Sequence, residues 1–384
     1  MNVKPPQAPL IVIFGSFRDH GAIQDTLEKM IDKWVQWGCK VEIVSFREGE
    51  GFYSGPYPIQ HVHLKVRHRI TATIGLWVYL RRKKPAAAMA CTHIANTILA
   101  STRSLPGKSP KIVLGIHQNY ADSKKNDSRP LKQKNKIREI KKHYPSAHGV
   151  ITVSHGIRES LEKKHQTEGI NFKTIYNGIL TDKIHELATQ NPNHSWLQEE
   201  KSGPVIVTAG RLTEQKDQKT LLEAFKIVLH RAPSARLIIL GEGNQRAELE
   251  ELARHLKISQ EVDMPGHKEN PYPYMERADV FALSSRWEGL GNVLIEALAL
   301  STPVVATDCP SGPREILADG CYGTLVPPGK PEALAEGLLK VLQGNAPQFD
   351  RNEAIEKFRA EYAAREYLNF MGITPPNSRP WTPE

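Results

Sequence analysis

Ser284-Ser285-Arg286-Trp287-Glu288-Gly289-Leu290-Gly291-Asn292-Val293-Leu294-Ile295-Glu296-Ala297 is the stretch on which the reading of this chain turns. It follows an apolar, strand-like run, Ala278-Asp279-Val280-Phe281-Ala282-Leu283. It leads into apolar positions at helical spacing, Val293, Leu294, Ala297, Leu298 and Leu300. Two glycines therefore sit between the carboxyl end of a strand and the start of a helix. Backbone N–H groups at such a start, with no side chains in the way, make an anion site. Glu288 in the loop and Glu296 one turn into the helix would repel phosphate unless they point at hydroxyl groups. The stretch suits a sugar and a ribose flanking a diphosphate.

Outward from this point the chain reads as alternating strands and helices, which predicts parallel sheets and an α/β fold. Leu10–Phe14 is a buried strand, 23–37 a helical pattern capped by Gly38, and 41–46 a second strand. Further strands are expected at 87–91, 112–116 and 149–153. The scheme repeats with a strand at 204–208, a helix at 219–229, a strand at 236–240 and a helix at 246–256. The strand at 278–283, a helix at 292–300 and a strand at 304–306 follow, and 353–370 has helical periodicity. A length of 384 residues fits two domains. The boundaries read as 1–180 for a basic, acceptor-binding domain, 181–203 for a polar linker and 204–350 for a donor-binding domain. Residues 351–384 form a terminal helix and tail.

Three more motifs accompany the first. They are Gly210-Arg211-Leu212-Thr213-Glu214-Gln215-Lys216, Gly241-Glu242-Gly243-Asn244-Gln245-Arg246, and Thr302 to Glu315 with its Asp308-Cys309-Pro310-Ser311-Gly312-Pro313-Arg314 core. Together with Glu288-x7-Glu296 they resemble the retaining glycosyltransferases of family 4, most closely a subset that builds bacterial surface polysaccharides and glycolipids. The resemblance covers roughly residues 204–345 and is looser before them. It implies the GT-B architecture, two Rossmann-like parallel-sheet domains facing a cleft, with the carboxyl-terminal helix returning to the first domain.

The resemblance also implies roles. Arg211 and Lys216 supply fixed positive charge to the leaving diphosphate, where a metal held by Asp-x-Asp would otherwise act; the chain has no such triplet, so no metal or other cofactor is expected. Alone, each would read as a solvated surface charge. Leu290, Gly291, Asn292 and Val293 offer backbone N–H groups to the phosphates. Glu296 accepts from the ribose hydroxyls, although a carboxylate near a helix start also suits the helix dipole on its own. Glu288 binds hydroxyls of the donor sugar and stabilises positive charge near its anomeric carbon. His117, after the Gly115-Ile116 strand end, faces the donor sugar, and His267, after Pro265-Gly266, borders the base. Either histidine could instead be an ordinary loop residue. The family's first loop is Gly-Gly before a helix; here it is His20-Gly21, so only Gly21 is left to approach the β-phosphate.

The net charge of +9 is unevenly spread, with 29 Lys+Arg against 13 Asp+Glu in residues 1–180 and 22 against 29 in the remainder. A basic half beside an acidic half implies an anionic partner for the first domain; a basic face that aids solubility is the plain alternative. No zinc-finger or aromatic-spaced signature supports nucleic acid. Residues 61–84 contain an apolar run, Ile70–Leu80, flanked by Arg67, Arg69 and Arg81-Arg82-Lys83-Lys84. At 11 residues the run is too short to span a bilayer. With the basic segment 120–142, which reads as a loop or an exposed helix, it is either a docking surface for an anionic membrane or a core-facing helix with a basic exit. Four scattered cysteines and no secretory leader in Met1–Pro9 predict reduced thiols and a cytoplasmic protein, peripheral to the membrane if the basic region binds it. The expected partners are a nucleotide-sugar donor, UDP by default, and a glycan or polyprenyl-linked acceptor, for transfer of a hexose or N-acetylhexosamine.

Other function classes fit less well. Gly15-Ser16-Phe17-Arg18 lacks the glycine spacing of a dinucleotide oxidoreductase. No lysine site for pyridoxal phosphate marks a phosphorylase. A catalytically silent nucleotide-sugar-binding scaffold or sensor is the competing reading. The weak first loop favours it, and the intact Arg211, Lys216, Glu288 and Glu296 oppose it.

Overall fold

A computed structural model describes residues 8–15, 21–46, 53–118 and 130–377. The chain forms two compact units, residues 1–179 with 357–384, and residues 180–356.

The first unit contains β1 (Leu10–Gly15), α1 (Ala22–Gln36), β2 (Lys40–Ser45), β3 (Gln60–His63), α2 (Arg69–Lys83), β4 (Ala87–Ala90), α3 (His93–Ser101), β5 (Lys111–Ile116), α4 (Pro130–His143), β6 (Gly149–Thr152), α5 (His155–Glu159) and β7 (Phe172–Thr174). Its sheet is parallel throughout, in the order β3-β2-β1-β4-β5-β6-β7. Ile11 to Phe14 are fully buried, as expected of a strand covered on both faces. Helix α1 turns Leu27, Met30, Ile31 and Trp34 inward at a 3.6-residue period and ends at Gly38, whose φ of +86° stops the helix.

The second unit contains α6 (Lys183–Ala188), β8 (Val205–Ala209), α7 (Gln218–Arg231), β9 (Arg236–Leu240), α8 (Arg246–His255), β10 (Val262–Gly266), α9 (Tyr272–Glu276), β11 (Val280–Leu283), α10 (Asn292–Ala299), β12 (Val304–Thr307), α11 (Pro313–Ile316), β13 (Thr324–Val326), α12 (Pro331–Leu342) and α13 (Arg351–Ile355). Its parallel sheet runs β10-β9-β8-β11-β12-β13. Both sheets thus reverse strand order once, at β1/β4 and at β8/β11. Such a reversal opens a crevice beyond the strands' carboxyl ends, the usual ligand site of a doubly wound sheet.

Two sequence expectations are corrected. Residues 181–203 are not a free linker. His194 Nε2 lies 2.9 Å from Asp263 Oδ2, the Tyr274 hydroxyl donates to the Pro192 carbonyl at 2.9 Å, and Leu197 is fully buried, all within the second unit. A few anchors suffice to seat a polar segment whose average composition looks solvated. The periodic stretch 353–370 is also not one helix. α13 gives way to a 3₁₀ turn at Glu356–Phe358, and α14 (Ala360–Met371) starts anew after the extended Arg359. α14 belongs to the first unit, where Ala363, Ala364, Tyr367, Leu368 and Met371 join the core and the Trp34 indole donates to the Ala364 carbonyl at 2.9 Å. The return of the terminal helix to the first domain is therefore observed.

Candidate active site

In the second unit the loops after β8, β9, β10, β11 and β12 meet at the strands' carboxyl ends. Gly291 enters α10 with φ +101°, a left-handed conformation that only glycine adopts at little cost. Gly312 approaches from the β12 loop so closely that a Cβ there would lie 1.8 Å from the Leu290 carbonyl oxygen. These two positions fix the path of Leu290-Gly291-Asn292-Val293 into the helix. The first amides of a helix have no intrahelical acceptor, so this start presents donors.

Glu288 lies just before that start and is 5% exposed. Its Oε1 accepts from Lys216 Nζ at 2.6 Å and from Ser285 Oγ at 2.6 Å, while Gln215 Nε2 stands 3.5 Å from Oε2. Gln215 also donates to the Trp287 carbonyl at 3.0 Å and accepts the Arg286 amide at its own carbonyl. Thr307 Oγ1 donates to the Ser285 carbonyl at 2.6 Å. The β8 and β11 loops are thus tied together around one carboxylate. Burial pushes the neighbouring Cys309 thiol far up, and the Glu288 charge adds to that. Asp217 holds Arg286 at 3.0 Å and accepts from Thr220, which braces the same loop from below.

Glu296 is half-buried on the first turn and a half of α10, with the Tyr272 hydroxyl 3.4 Å from its Oε1. Arg211 is exposed, and its guanidinium makes no ion pair among the described residues. His267 is exposed just past β10, where Gly266 turns with φ +82°. The structure therefore brings Lys216 and Glu288 together, places Glu296 along the same helix start, and leaves Arg211 and His267 at the rim. Ser285, Gln215 and Tyr272 were not singled out as site residues by the sequence reading. The Ser-Ser pair three residues before Glu288 was the only signal for the first of them.

The first unit holds its own crevice at β1/β4. A pocket of about 390 Å³ is lined by Ile23, Thr92, His93, His117 and Lys136, among others. Such a volume suits a monosaccharide or a small polar ligand. His117 follows β5, and both its ring nitrogens are buried without a hydrogen-bond partner among the described residues. Burial pulls its pKa down to about 4, partly offset by Asn177. His117 is thus neutral at physiological pH, with two polar atoms aimed into a pocket. Burial likewise pushes the Cys91 thiol beneath it up to about 12, so that sulfur is inert.

On the pocket's outer side, Glu139 accepts from Arg69 at 2.8 Å and lies 2.6 Å from His93 Nε2. Burial alone would raise the Glu139 carboxyl, but Arg69 and His93 together outweigh it and hold it below its ordinary value. His93 is itself lowered, by burial more than Glu139 restores. Gly21 precedes α1 with φ −169°, extended backbone open to any residue, and an added Cβ would meet only Gln24 Oε1 at 3.6 Å. His20 and residues 120–129 lie outside the described residues. Among the described residues no helix is long and apolar enough to cross a membrane.

Residues 24–183 match the family described as Glycosyltransferase Family 4, and residues 190–360 match Glycosyl transferases group 1. The N-acetylgalactosamine-N,N'-diacetylbacillosaminyl-diphospho-undecaprenol 4-alpha-N-acetylgalactosaminyltransferase of Campylobacter jejuni is 32% identical over 200 residues, covering 52% of this chain and 52% of that protein. The chain spans about half the length of the curated relatives it matches, 50%, 52% and 51% for the first three. Among solved structures, the lipopolysaccharide outer core galactosyltransferase WaaB in its apo form aligns with a TM-score of 0.74 at 18% identity, over 94% of this chain and 99% of that one. Anabaena HepE in complex with UDP and glucose aligns with a TM-score of 0.71 at 18% identity, over 95% and 99%. At such identities the likeness carries the fold. With two doubly wound sheets, two family matches that together run from residue 24 to 360, and the Glu288-x7-Glu296 loop at the second switch point, the chain belongs to glycosyltransferase family 4 and has the GT-B fold.

Proposed function

We propose that this protein transfers a hexosyl or N-acetylhexosaminyl residue from a UDP-sugar to a glycan or lipid-linked acceptor in bacterial-type polysaccharide or glycolipid assembly, with retention at the anomeric carbon and without a metal. The observation that carries this reading is the buried Glu288 held by Lys216 and Ser285 at the mouth of an open helix start. In it the β11–α10 amides and Arg211 take the diphosphate, and Glu296 takes the ribose. Lys216 is shared between the Glu288 carboxylate and the departing phosphate, so positive charge already stands where negative charge develops. The anomeric carbon–oxygen bond to the diphosphate breaks, a bond to the acceptor oxygen forms on the same side, and the acceptor proton passes to the leaving diphosphate oxygen. Glu288 binds donor hydroxyls and faces the developing positive charge; it forms no covalent bond. The neutral His117 supplies a hydrogen bond to sugar hydroxyls without adding charge.

UDP is the favoured base because a structural neighbour, HepE, was solved with UDP and glucose. A lipid-linked acceptor is favoured by the Campylobacter relative, whose name specifies a diphospho-undecaprenol substrate. The free thiols of Cys39, Cys91, Cys309 and Cys321 suit a reducing compartment, and we place the reaction on the cytoplasmic side.

A thermal-shift panel of UDP, GDP and ADP on wild type and on Glu296→Ala tests the reading. Stabilisation by UDP, lost in the variant, is the expected result. Transfer from the best-stabilising UDP-sugar, undiminished by EDTA, would complete it. Binding without transfer to any acceptor would instead favour the scaffold reading, and no shift with any nucleotide at millimolar concentration would remove the donor site.

A further inference from the structure

Three large apolar side chains stand out as exposed among the described residues, Ile70 at 76%, Ile74 at 48% and Ile94 at 49%. All three belong to the first unit. Ile70 and Ile74 are one turn apart on α2, opposite the stripe of Ala72, Leu76 and Leu80 that the helix buries. Ile94 is the second residue of α3 and lines the His117 pocket. Arg69 and His93, the residues just before Ile70 and Ile94, grip the same Glu139 carboxylate. That grip draws the starts of α2 and α3 together, so the isoleucines form one apolar step at the edge of the pocket. The core-helix expectation for Ile70–Leu80 therefore holds for one face of α2 only.

The electrostatics around the step are one-sided. From residue 53 to 118 and from 130 to 150 the only acidic residue is Glu139, and Arg69 and His93 neutralise it. Some of the basic residues are taken up internally: Lys83 pairs with Glu42 at 2.8 Å, and Arg81 lies over Trp77 and donates to the Pro106 carbonyl. Arg67, Arg82 and Lys84 remain exposed along α2 and its approach, and Arg138, Lys141 and Lys142 along α4. Exposed apolar side chains inside a positive field with no free carboxylate match a surface that is negative at its face and apolar beneath.

We propose that the Ile70–Ile74–Ile94 step is a docking surface for an anionic lipid bilayer, seated so that the head group of a lipid-linked acceptor enters the His117 pocket. The isoleucines enter the acyl region at its boundary, and the flanking arginines and lysines lie among the lipid phosphates. The bilayer contact stands on the surface alone; delivery of an acceptor rests on the transferase reading above.

The test is co-sedimentation of the full chain with vesicles of phosphatidylglycerol and phosphatidylethanolamine at low salt, beside phosphatidylcholine vesicles. Wild type should bind the anionic vesicles and release them as salt rises. Ile70→Ser/Ile74→Ser should lower binding about tenfold or more, since the substitutions remove the apolar part of the contact. Arg67→Glu/Arg82→Glu should lower it too and flatten its salt dependence. Both variants should keep the wild-type melting temperature and UDP stabilisation, which shows them folded and reads the second unit separately. With transfer established, the isoleucine variant should lose turnover on a vesicle-borne acceptor and keep it on a water-soluble one. No binding of wild type to anionic vesicles overturns the proposal, as does equal binding by the isoleucine variant. A serine variant that shifts only the mass of a self-associated protein assigns the step to a second copy and overturns it as well. Vesicle binding without any nucleotide stabilisation leaves the docking surface standing and sinks the transferase reading instead.

Discussion

The two switch points of this protein share a topology and differ in how their polar groups are satisfied. At β8/β11 the carboxylate, ammonium, hydroxyl and amide of Glu288, Lys216, Ser285 and Gln215 bond to one another. At β1/β4 the corresponding crevice is an open pocket in which both nitrogens of His117 are buried and unpartnered. Buried polar groups normally find partners, and leaving one without costs about 1–3 kcal/mol. The second unit therefore holds a site organised in advance, whereas the first holds one that a ligand completes. The charge pattern runs parallel: paired groups in the donor half, and an excess of unopposed basic residues in the other.

The strongest way to break this contrast is at Glu288. Glu288→Gln keeps the shape and removes the charge, and should lower kcat by about a thousandfold, the scale of a lost electrostatic stabiliser. An intact kcat would dismiss Glu288 from the reaction. Lys216→Ala leaves a buried carboxylate unpaired and should cost about 3 kcal/mol in denaturant unfolding. Adding Glu288→Gln to it should restore most of the stability and none of the activity. If the double variant is as unstable as the single, the pair is not what holds these loops.

His117→Gln probes the other half with the opposite sign. Turnover should drop by roughly ten- to a hundredfold, within the range for a hydrogen-bonding active-site group, while stability stays level or rises. Its pH signature is separable. The unfolded ring takes a proton near pH 6.5 and the folded ring only near 4, so the unfolded state binds more protons between those values. Wild type should thus lose stability as pH falls from about 6.5 to about 4, and the variant should lose less across that window. Parallel melting curves for the two proteins would show that the ring is not held neutral.

Smaller effects sharpen the comparison at the glycines. Gly312→Ala should cost well over about 1 kcal/mol, because φ is +92° and the new Cβ would strike the Leu290 carbonyl. Gly21→Ala should change the melting temperature by less than about 0.5 kcal/mol equivalent, since its backbone is extended and the space is open. A fall in apparent donor affinity for Gly21→Ala at constant stability would mark the loop as ligand-contacting. No change in either would remove Gly21 from the site.

Much of the fold could be read from local pattern. The buried runs at β1, β5, β8, β9 and β11 are continuous apolar segments, and α1, α7 and α8 carry clear helical periods, so their limits fell within a residue or two of expectation. The short strands β3, β7 and β13 were missed, since three or four mixed residues such as Gln60–His63 carry no period. Helix α12 was passed over although its apolar stripe is regular. The break before α14 was hidden because 353–370 keeps a helical spacing across it; the extended Arg359 interrupts the backbone and not the pattern.

The site divides in the same way. The sequence by itself determined what neighbours along the chain can settle: the glycine-shaped entry to α10, the carboxylates on either side of it, the alternation that makes both sheets parallel, and the charge imbalance between the halves. Tertiary structure decided what depends on residues far apart. Lys216 and Glu288 are 72 positions apart, and only the β8/β11 pairing makes them partners. Arg69, His93 and Glu139 meet because α2, α3 and α4 pack together, and that meeting leaves Ile70 and Ile94 exposed at one edge. Torsional preference and hydrophobic period are local and can be read along a chain. Which charges meet, and which apolar side chains stay uncovered, is fixed only when the sheets order the strands.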